Sequence, residues 1–308
     1  MTDIITILYA AVASGTIILY ATIGEIITER SGILNLGVEG IMLMGAFFGF
    51  YVAYTTESLI LAILGAALIG AVMGLIHAFM TITLQANQVV SGLALTMFGS
   101  GASAFFGINM VGKTLTTSFQ KIQIPILSKI PVAGHILFNH NILVYLAFIL
   151  PVIIWYIFNR TRWGLALRSS GEEPLSSEIM GIKVIKVRYI ATIVGGIFIG
   201  ISGAYLSVGY SKLWVEGMTA GRGWITIALV IFANWNPLIA YGGAYLFGGL
   251  TQLGLNLQKF DIIFPIILLK SIPYVFTILF LLFISLKGKR SNLPKALGLS
   301  YYRESRGG

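Results

Sequence analysis

Apolar runs long enough to cross a bilayer, broken by short polar stretches, dominate this chain. A crossing helix needs roughly twenty apolar residues. Ile4 to Ile23 meets that length. Gly24–Gly40 then interrupts the pattern with four charges, Glu25, Glu29, Arg30 and Glu39. A charge at the bilayer centre costs about 2.5 kcal/mol or more, so this stretch is expected at an interface or inside protein. Asn35 is expected to cap the next helix, with Glu39 in its first turn. That helix runs to about Tyr54, followed by spans over Ser58–Leu84 and Ala86–Ile108. Gly45 and Gly49, and Gly70 and Gly74, are pairs four residues apart that let helix backbones approach closely in lipid. Met110–Asn141 is polar and broken by Pro125 and Pro131. Spans resume at Ile142–Phe158, Tyr189–Tyr210, Trp224–Trp235, Leu238–Leu257 and Ile262–Leu286. The pattern predicts an all-α, polytopic integral membrane helical bundle, one domain over 1–308, with about nine crossings (eight to ten) and broken or re-entrant helices. Trp224–Trp235 is the short one.

Composition agrees with that class. Hydrophobic residues make up 57% and charged residues 10%, and the mean hydropathy is +0.90. A soluble domain of this composition lacks the polar residues to cover its surface. The net charge of +9 suggests nucleic acid only until its distribution is considered. Arg160, Arg162, Arg168, Lys183, Lys186 and Arg188 fall in the loop 159–188, and Lys287, Lys289, Arg290, Lys295, Arg303 and Arg306 in the tail 287–308. Basic residues flanking spans mark the cytoplasmic side. Loop and tail are therefore expected inside, Met110–Asn141 and the N-terminus outside. No basic region with a cleavage site precedes the first apolar run, which is read as a retained span. The chain has no cysteine, which excludes disulfides and thiolate chemistry.

Between two apolar regions stands a polar island, Gly171–Ile182. Pro174 suits the first position of a helix. Glu172 and Glu173 favour its positive end, and Gly181 supplies a left-handed stop about two turns later. Leu175, Ile179 and Ile182 lie on one side, at i, i+4 and i+7, while Ser176 and Ser177 are small enough to admit a neighbouring surface. A short helix with an apolar stripe outside the membrane is read as a docking helix for a cytoplasmic partner. The alternative is a helix folded back on its own loop.

Other chemistry is sparse. Gly107–Thr114 fits the phosphate-loop pattern G-x-x-x-x-G-K-[ST], but that chemistry needs a strand before the loop and a helix after it. Here a span precedes it and Pro125 follows. His77, His135 and His140 have no zinc spacing; no metal, cofactor or catalytic residue is expected, and no hydrolase motif appears. For a substrate path, the candidates are polar residues in apolar surroundings: Asn35, Asn87, Gln88, Ser91, Asn234 and Asn236, with Trp214 and Trp224 available to stack on a base. Equally, the amides cap broken helices or bond across helices, and the two tryptophans anchor at an interface.

Gly24–Gly40, Ala86–Gly92, Gly171–Val184 and Gly221–Pro237 together resemble the permease subunits of ABC importers for nucleosides and related simple sugars, in the same order along nearly the whole chain. The resemblance implies a type II-like permease in the bacterial plasma membrane. It also implies a homologous second permease, a cytoplasmic ATPase that alone hydrolyses ATP, and an extracytoplasmic substrate-binding lipoprotein. Family members dock on the ATPase through a Glu-x-Pro-x-small-small-x-x-x-Gly loop, whose places are taken here by Glu172, Pro174, Ser176, Ser177 and Gly181. An ion-coupled secondary transporter is the alternative class; it predicts a carboxylate or histidine near mid-membrane, for which His77 and Asp261 are the candidates. A membrane-embedded enzyme would need a nucleophile–base pair, and none is visible.

Overall fold

The computed structural model describes residues 2–125, 127–257 and 292–302, with isolated positions between 271 and 282. Helices carry the fold. α1 (Thr2–Arg30), α2 (Val38–Thr56), α3 (Leu59–Ala78) and α4 (Gln88–Gly107) come first. A π-helical turn, Phe79–Thr83, extends α3. An irregular loop follows, with a two-residue ladder between β1 (Ile122–Gln123) and β2 (Asn139–His140) and the short α5 (Ala133–Leu137). Then come α6 (Ile142–Arg160), α7 (Arg162–Glu172), α8 (Pro174–Ile179) and α9 (Val184–Ala204), the last continued by a π-helical segment to Ser211. α10 (Arg222–Phe232) and α11 (Pro237–Leu257) complete the described helices.

Among the described residues, six helices are long and apolar enough to cross a membrane, fewer than the nine expected from sequence. α10 has only 11 residues, about half a bilayer at 1.5 Å per residue. The expected last span, Ile262–Leu286, lies outside the described residues, as do Asp261 and most of the basic tail. Two further expectations are corrected. α1 does not stop at Ile23 but runs on to Arg30, because Glu25 and Glu29 are buried inside protein and never meet lipid. Asn35 does not cap α2: Gly37 holds that position without a side-chain cap, and Asn35 Oδ1 accepts from Gly37 N just ahead of it. Glu39 does stand in the first turn.

α9 is the axis of the bundle, and glycine makes it so. The anticipated pairs both face it. A Cβ added at Gly74 would meet Thr192 O at 2.7 Å, and one at Gly49 would meet Ala204 Cβ at 2.7 Å. One at Gly45 would meet Gly200 Cα at 2.6 Å. On α9 itself, a Cβ at Gly195 would press on Gly24 O of α1 at 2.7 Å. Helices α1, α2 and α3 thus approach α9 at backbone contact, where dispersion rather than a hydrophobic drive holds helices together in lipid. α11 packs on the other face of α1, with Gly15 against Tyr245.

The connections gather at two ends. Tyr9 near the start of α1 stacks on His140 at 4.4 Å, and Leu115 N donates to Lys212 O, joining the loops around 108–141 and 212–221. The connections after α1, α3, α7 and α10 gather at the opposite end, tied by residues 292–302.

Candidate functional site

The helix read from the polar island exists. Pro174 opens α8 at N1, and Glu173 occupies the N-cap place. Gly181 takes φ +87, Ile182 N donates to Ser177 O at 3.0 Å and Gly181 N to Glu178 O at 2.9 Å. This pair of bonds closing on a left-handed glycine is a Schellman ending. α8 is shorter than two turns, so Ile182 lies beyond its end, half-buried, and does not extend the stripe. Met180 takes its place. Leu175, Ile179 and Met180 are 45%, 86% and 83% exposed. Ser177 faces the protein, buried, its hydroxyl donating to Glu173 O at 2.8 Å, while Ser176 faces out. Behind α8, α7 is anchored by Thr161, which accepts from Gly164 N, and by Leu167 in the core. Gly171 lies against the Arg30 carbonyl, where no side chain fits.

The polar residues nominated for a pathway all have partners within the chain. Asn87 caps α4, accepting from Val89 N and Val90 N. Gln88 accepts from Leu34 N at 2.7 Å. Ser91 Oγ lies 3.1 Å from His77 Nδ1. Asn236 Oδ1 accepts from Leu238 N, and Asn234 Oδ1 from Asn292 N. Trp224 is partly exposed on α10. Asn35 Nδ2 and N both donate to Glu25. Capping and cross-helix bonding therefore describe all six amide and hydroxyl residues, and Asn35, Gln88 and Ser91 come together around the loop after α1.

The charged stretch Gly24–Gly40 lies inside protein, one of the two places expected for it, but sequence reasoning missed that its carboxylates stand within the helices and what they bind. Glu25, Glu29 and Glu39 are 0%, 2% and 9% exposed within α1 and α2, so carboxylates stand in helices where the sequence pointed only to His77 among the described residues. Each is met by donors. Glu29 accepts from Trp235 Nε1 at 2.5 Å. Glu39 accepts from Thr219 Oγ1 at 2.6 Å, Gly221 N at 2.9 Å and Gly223 N at 2.6 Å. Those two amides open α10, whose own N-cap, Gly221 at φ +80, offers no side chain. Glu39 thus serves as the cap of a half-helix that begins inside the bundle, where an anion is favoured by the helix dipole. The four charges in Gly24–Gly40 were the available signal; the partners of Glu29 and Glu39, 206 and 180 residues distant, were not. His77 is fully buried, with Nε2 placed to donate to Leu34 O at 3.0 Å.

The phosphate-loop match has no matching geometry. Helix α4 precedes it, Ile108–Met110 is a 3₁₀ turn, and Thr114 pairs with Leu213. Among the described residues, no cluster of three or more His, Asp or Glu side chains is arranged to hold a metal.

Glycine-packed spans, a half-helix capped inside the bundle and a short exposed helix beyond them are the frame of a polytopic helical membrane protein. The chain belongs to the family described as branched-chain amino acid transport system, permease component, which it matches over residues 6–285; it is the permease subunit of an ABC transporter. It is 38% identical to the provisionally named glucose ABC transporter permease protein TsgC13 of Haloferax volcanii, over 97% of this chain and 98% of that one. It is 35% identical to the guanosine ABC transporter permease protein NupQ of Bacillus subtilis, over 98% and 96%. Identity to the nucleoside ABC transporter permease protein NupC of Lactococcus lactis is 33%, over 94% of each. No solved structure matches the chain.

Proposed function

We propose that this permease imports nucleosides across a bacterial plasma membrane, as one half of a pair with a homologous second permease. A substrate-binding lipoprotein delivers solute to the end that carries residues 108–141, about nine crossings form the bundle, and the end that carries α8 faces the cytoplasm. There a separate ATPase docks on Glu172–Ile182 and supplies the energy. Its binding and hydrolysis of ATP moves α8, and alternating access follows, provided the ATPase engages the two permease conformations with different affinity.

The observation that carries the docking reading is the exposure of Ile179 and Met180, 86% and 83%, on a helix that begins and ends in the caps the sequence foretold. Apolar side chains held out of lipid and out of the core call for a partner surface. The relatives named for guanosine and for nucleosides support the substrate class. A simple sugar is the second reading, favoured by the 38% identity to the glucose permease protein. Ribose and glucose both offer a hydroxylated ring to hydrogen-bonding side chains.

The test is uptake into vesicles holding the whole complex, with ATP supplied and ion gradients collapsed. Labelled guanosine should accumulate, and a hundredfold excess of glucose should leave the rate unchanged. Glucose accumulation instead overturns the nucleoside assignment; uptake that needs an ion gradient overturns the ATP-driven mechanism.

A further inference from the structure

Residues 292–302 cross the end of the molecule that carries α8, and they touch nearly every connection there. Asn292 N donates to Asn234 Oδ1 at 2.7 Å, in the turn between α10 and α11. Ala296 N donates to Gly171 O at 2.9 Å, where α7 meets α8, and Gly298 N to Gly32 O at 3.3 Å, after α1. Gln88 and Gln85, flanking the connection from α3 to α4, donate to Leu299 O at 3.4 Å and Tyr301 O at 3.5 Å. Lys295 lies 3.7 Å from Glu173, but both are exposed and the pair contributes little.

Tyr301 is where these threads cross. Its hydroxyl bonds the Glu178 carboxylate of α8. Its ring carries the Arg188 guanidinium 5.6 Å from the centroid. Arg188 belongs to α9 and is 2% exposed, its Nη2 donating to Ser170 O at 3.2 Å. One residue therefore touches α8 and the axial helix of the bundle through its side chain and, through its backbone carbonyl, the α3–α4 connection. Between the start of α8, Arg188 and the strap lies a cavity of about 280 Å³, lined by Leu175, Lys295, Leu299 and Tyr302 among others. α8 is thus held to the strap across a gap rather than packed against it, which leaves room to shift while the Tyr301 contacts stay made.

We infer that the C-terminal segment 292–302 is a mechanical strap, with Tyr301 its positioning residue, through which movement of α8 reaches α9 and the connections after α1, α3 and α10. The inference rests on α8 being the ATPase-docking helix. A side chain that bridges two elements conveys movement only if its contacts differ between the two states of the bundle. The Glu178–Tyr301–Arg188 chain is a side-chain route between α8 and α9, beside the link 180–183 that joins the two helices in the chain.

The experiment measures ATP hydrolysed per guanosine taken up, or per glucose if glucose is the substrate, by the whole complex in proteoliposomes. Tyr301→Ala should still co-purify with the ATPase and hydrolyse ATP, while uptake per ATP falls at least tenfold. Tyr301→Phe, which keeps the ring under Arg188, and Glu178→Gln should each give a smaller loss, and the double variant no more than the larger single one, since both act on one contact. A wild-type uptake ratio in Tyr301→Ala overturns the strap, and so does additivity of the two conservative changes. Loss of the ATPase from the Tyr301→Ala complex also overturns it, making the segment part of the docking surface. Ile179→Asp separates the premises: if that variant keeps its ATPase, the docking reading fails whatever Tyr301 does.

Discussion

Glu39 accepts from Thr219 Oγ1, Gly221 N and Gly223 N, and α10 has no other N-terminal cap. Glu39→Ala removes the acceptor and leaves the donors inside a bundle with little water to replace it. A hydrogen bond to a charged group contributes about 1.5–3 kcal/mol, and a buried donor left unpaired costs about 1–3 kcal/mol. Allowing for non-additivity among three donors, the first turn of α10 should lose roughly 3–6 kcal/mol of local stability. At about 1.4 kcal/mol per tenfold, that is two to four decades of amide protection. Glu39→Gln keeps one carbonyl oxygen but turns an NH₂ toward a backbone donor, so it should fall between wild type and alanine. Hydrogen exchange followed by mass spectrometry over peptides covering 219–232, with α9 peptides as the internal control, reads the effect. Protection in Glu39→Ala within threefold of wild type, or a loss spread equally over α9, would refute the capping role.

The remaining predictions rest on the glycine seams and the loop around His140. Gly200→Val should lower the thermal midpoint in detergent, because its Cβ would meet Gly70 Cα at 3.0 Å and the Ala66 carbonyl beside it; overpacking costs about 1–3 kcal/mol, and backbone yields less than side chains. An unchanged midpoint contradicts the close approach of α3 and α9. His140 is buried against Tyr9, its Nε2 donating to Ile136 O at 2.8 Å, and burial pushes its pKa below the ordinary 6.5, assisted by Lys121 and His135 nearby. With the folded value below the unfolded one, the unfolded loop takes up the proton first as pH falls through about 6.5. Local stability of 133–145 is therefore full above that pH and declines below it. Exchange of those amides at pH 7.5 and 5.5, corrected for intrinsic rates, should show the decline in wild type and a flat response in His140→Gln; equal pH responses in both remove His140 as the cause.

What the sequence disclosed follows from range. Runs of apolar residues located α2, α3, α4, α6, α9 and α11 because a span is a local pattern, and Pro174 and Gly181 bracketed α8 because caps are chosen by their own residues. The four-residue glycine spacings announced close packing but not its partner, since nothing local points to α9. The buried acids were the hardest to read. Four charges in Gly24–Gly40 looked like an interruption between helices, yet Glu25 and Glu29 continue α1 because Asn35 and Trp235 meet them inside the bundle. Trp235 stands 206 residues from Glu29, and Thr219 stands 180 from Glu39. Pairings at that separation leave no trace in a window of neighbours. The strap was hidden for the same reason: as a sequence, 287–308 is a basic tail, and only the fold brings Ala296 to Gly171 and Tyr301 to Glu178.

The proposal that energy reaches this permease through α8 is measured most directly by the affinity of the ATPase subunit for permease carrying Ile179→Asp. Ile179 is 86% exposed, so the variant should keep the wild-type thermal midpoint. Burying an isoleucine side chain at an interface contributes about 1.5–3 kcal/mol, and a carboxylate in its place adds a desolvation cost. Binding should weaken about a hundredfold or more, and ATP-driven uptake should stop with it. An Ile179→Asp permease that binds its ATPase as tightly as wild type contradicts the account.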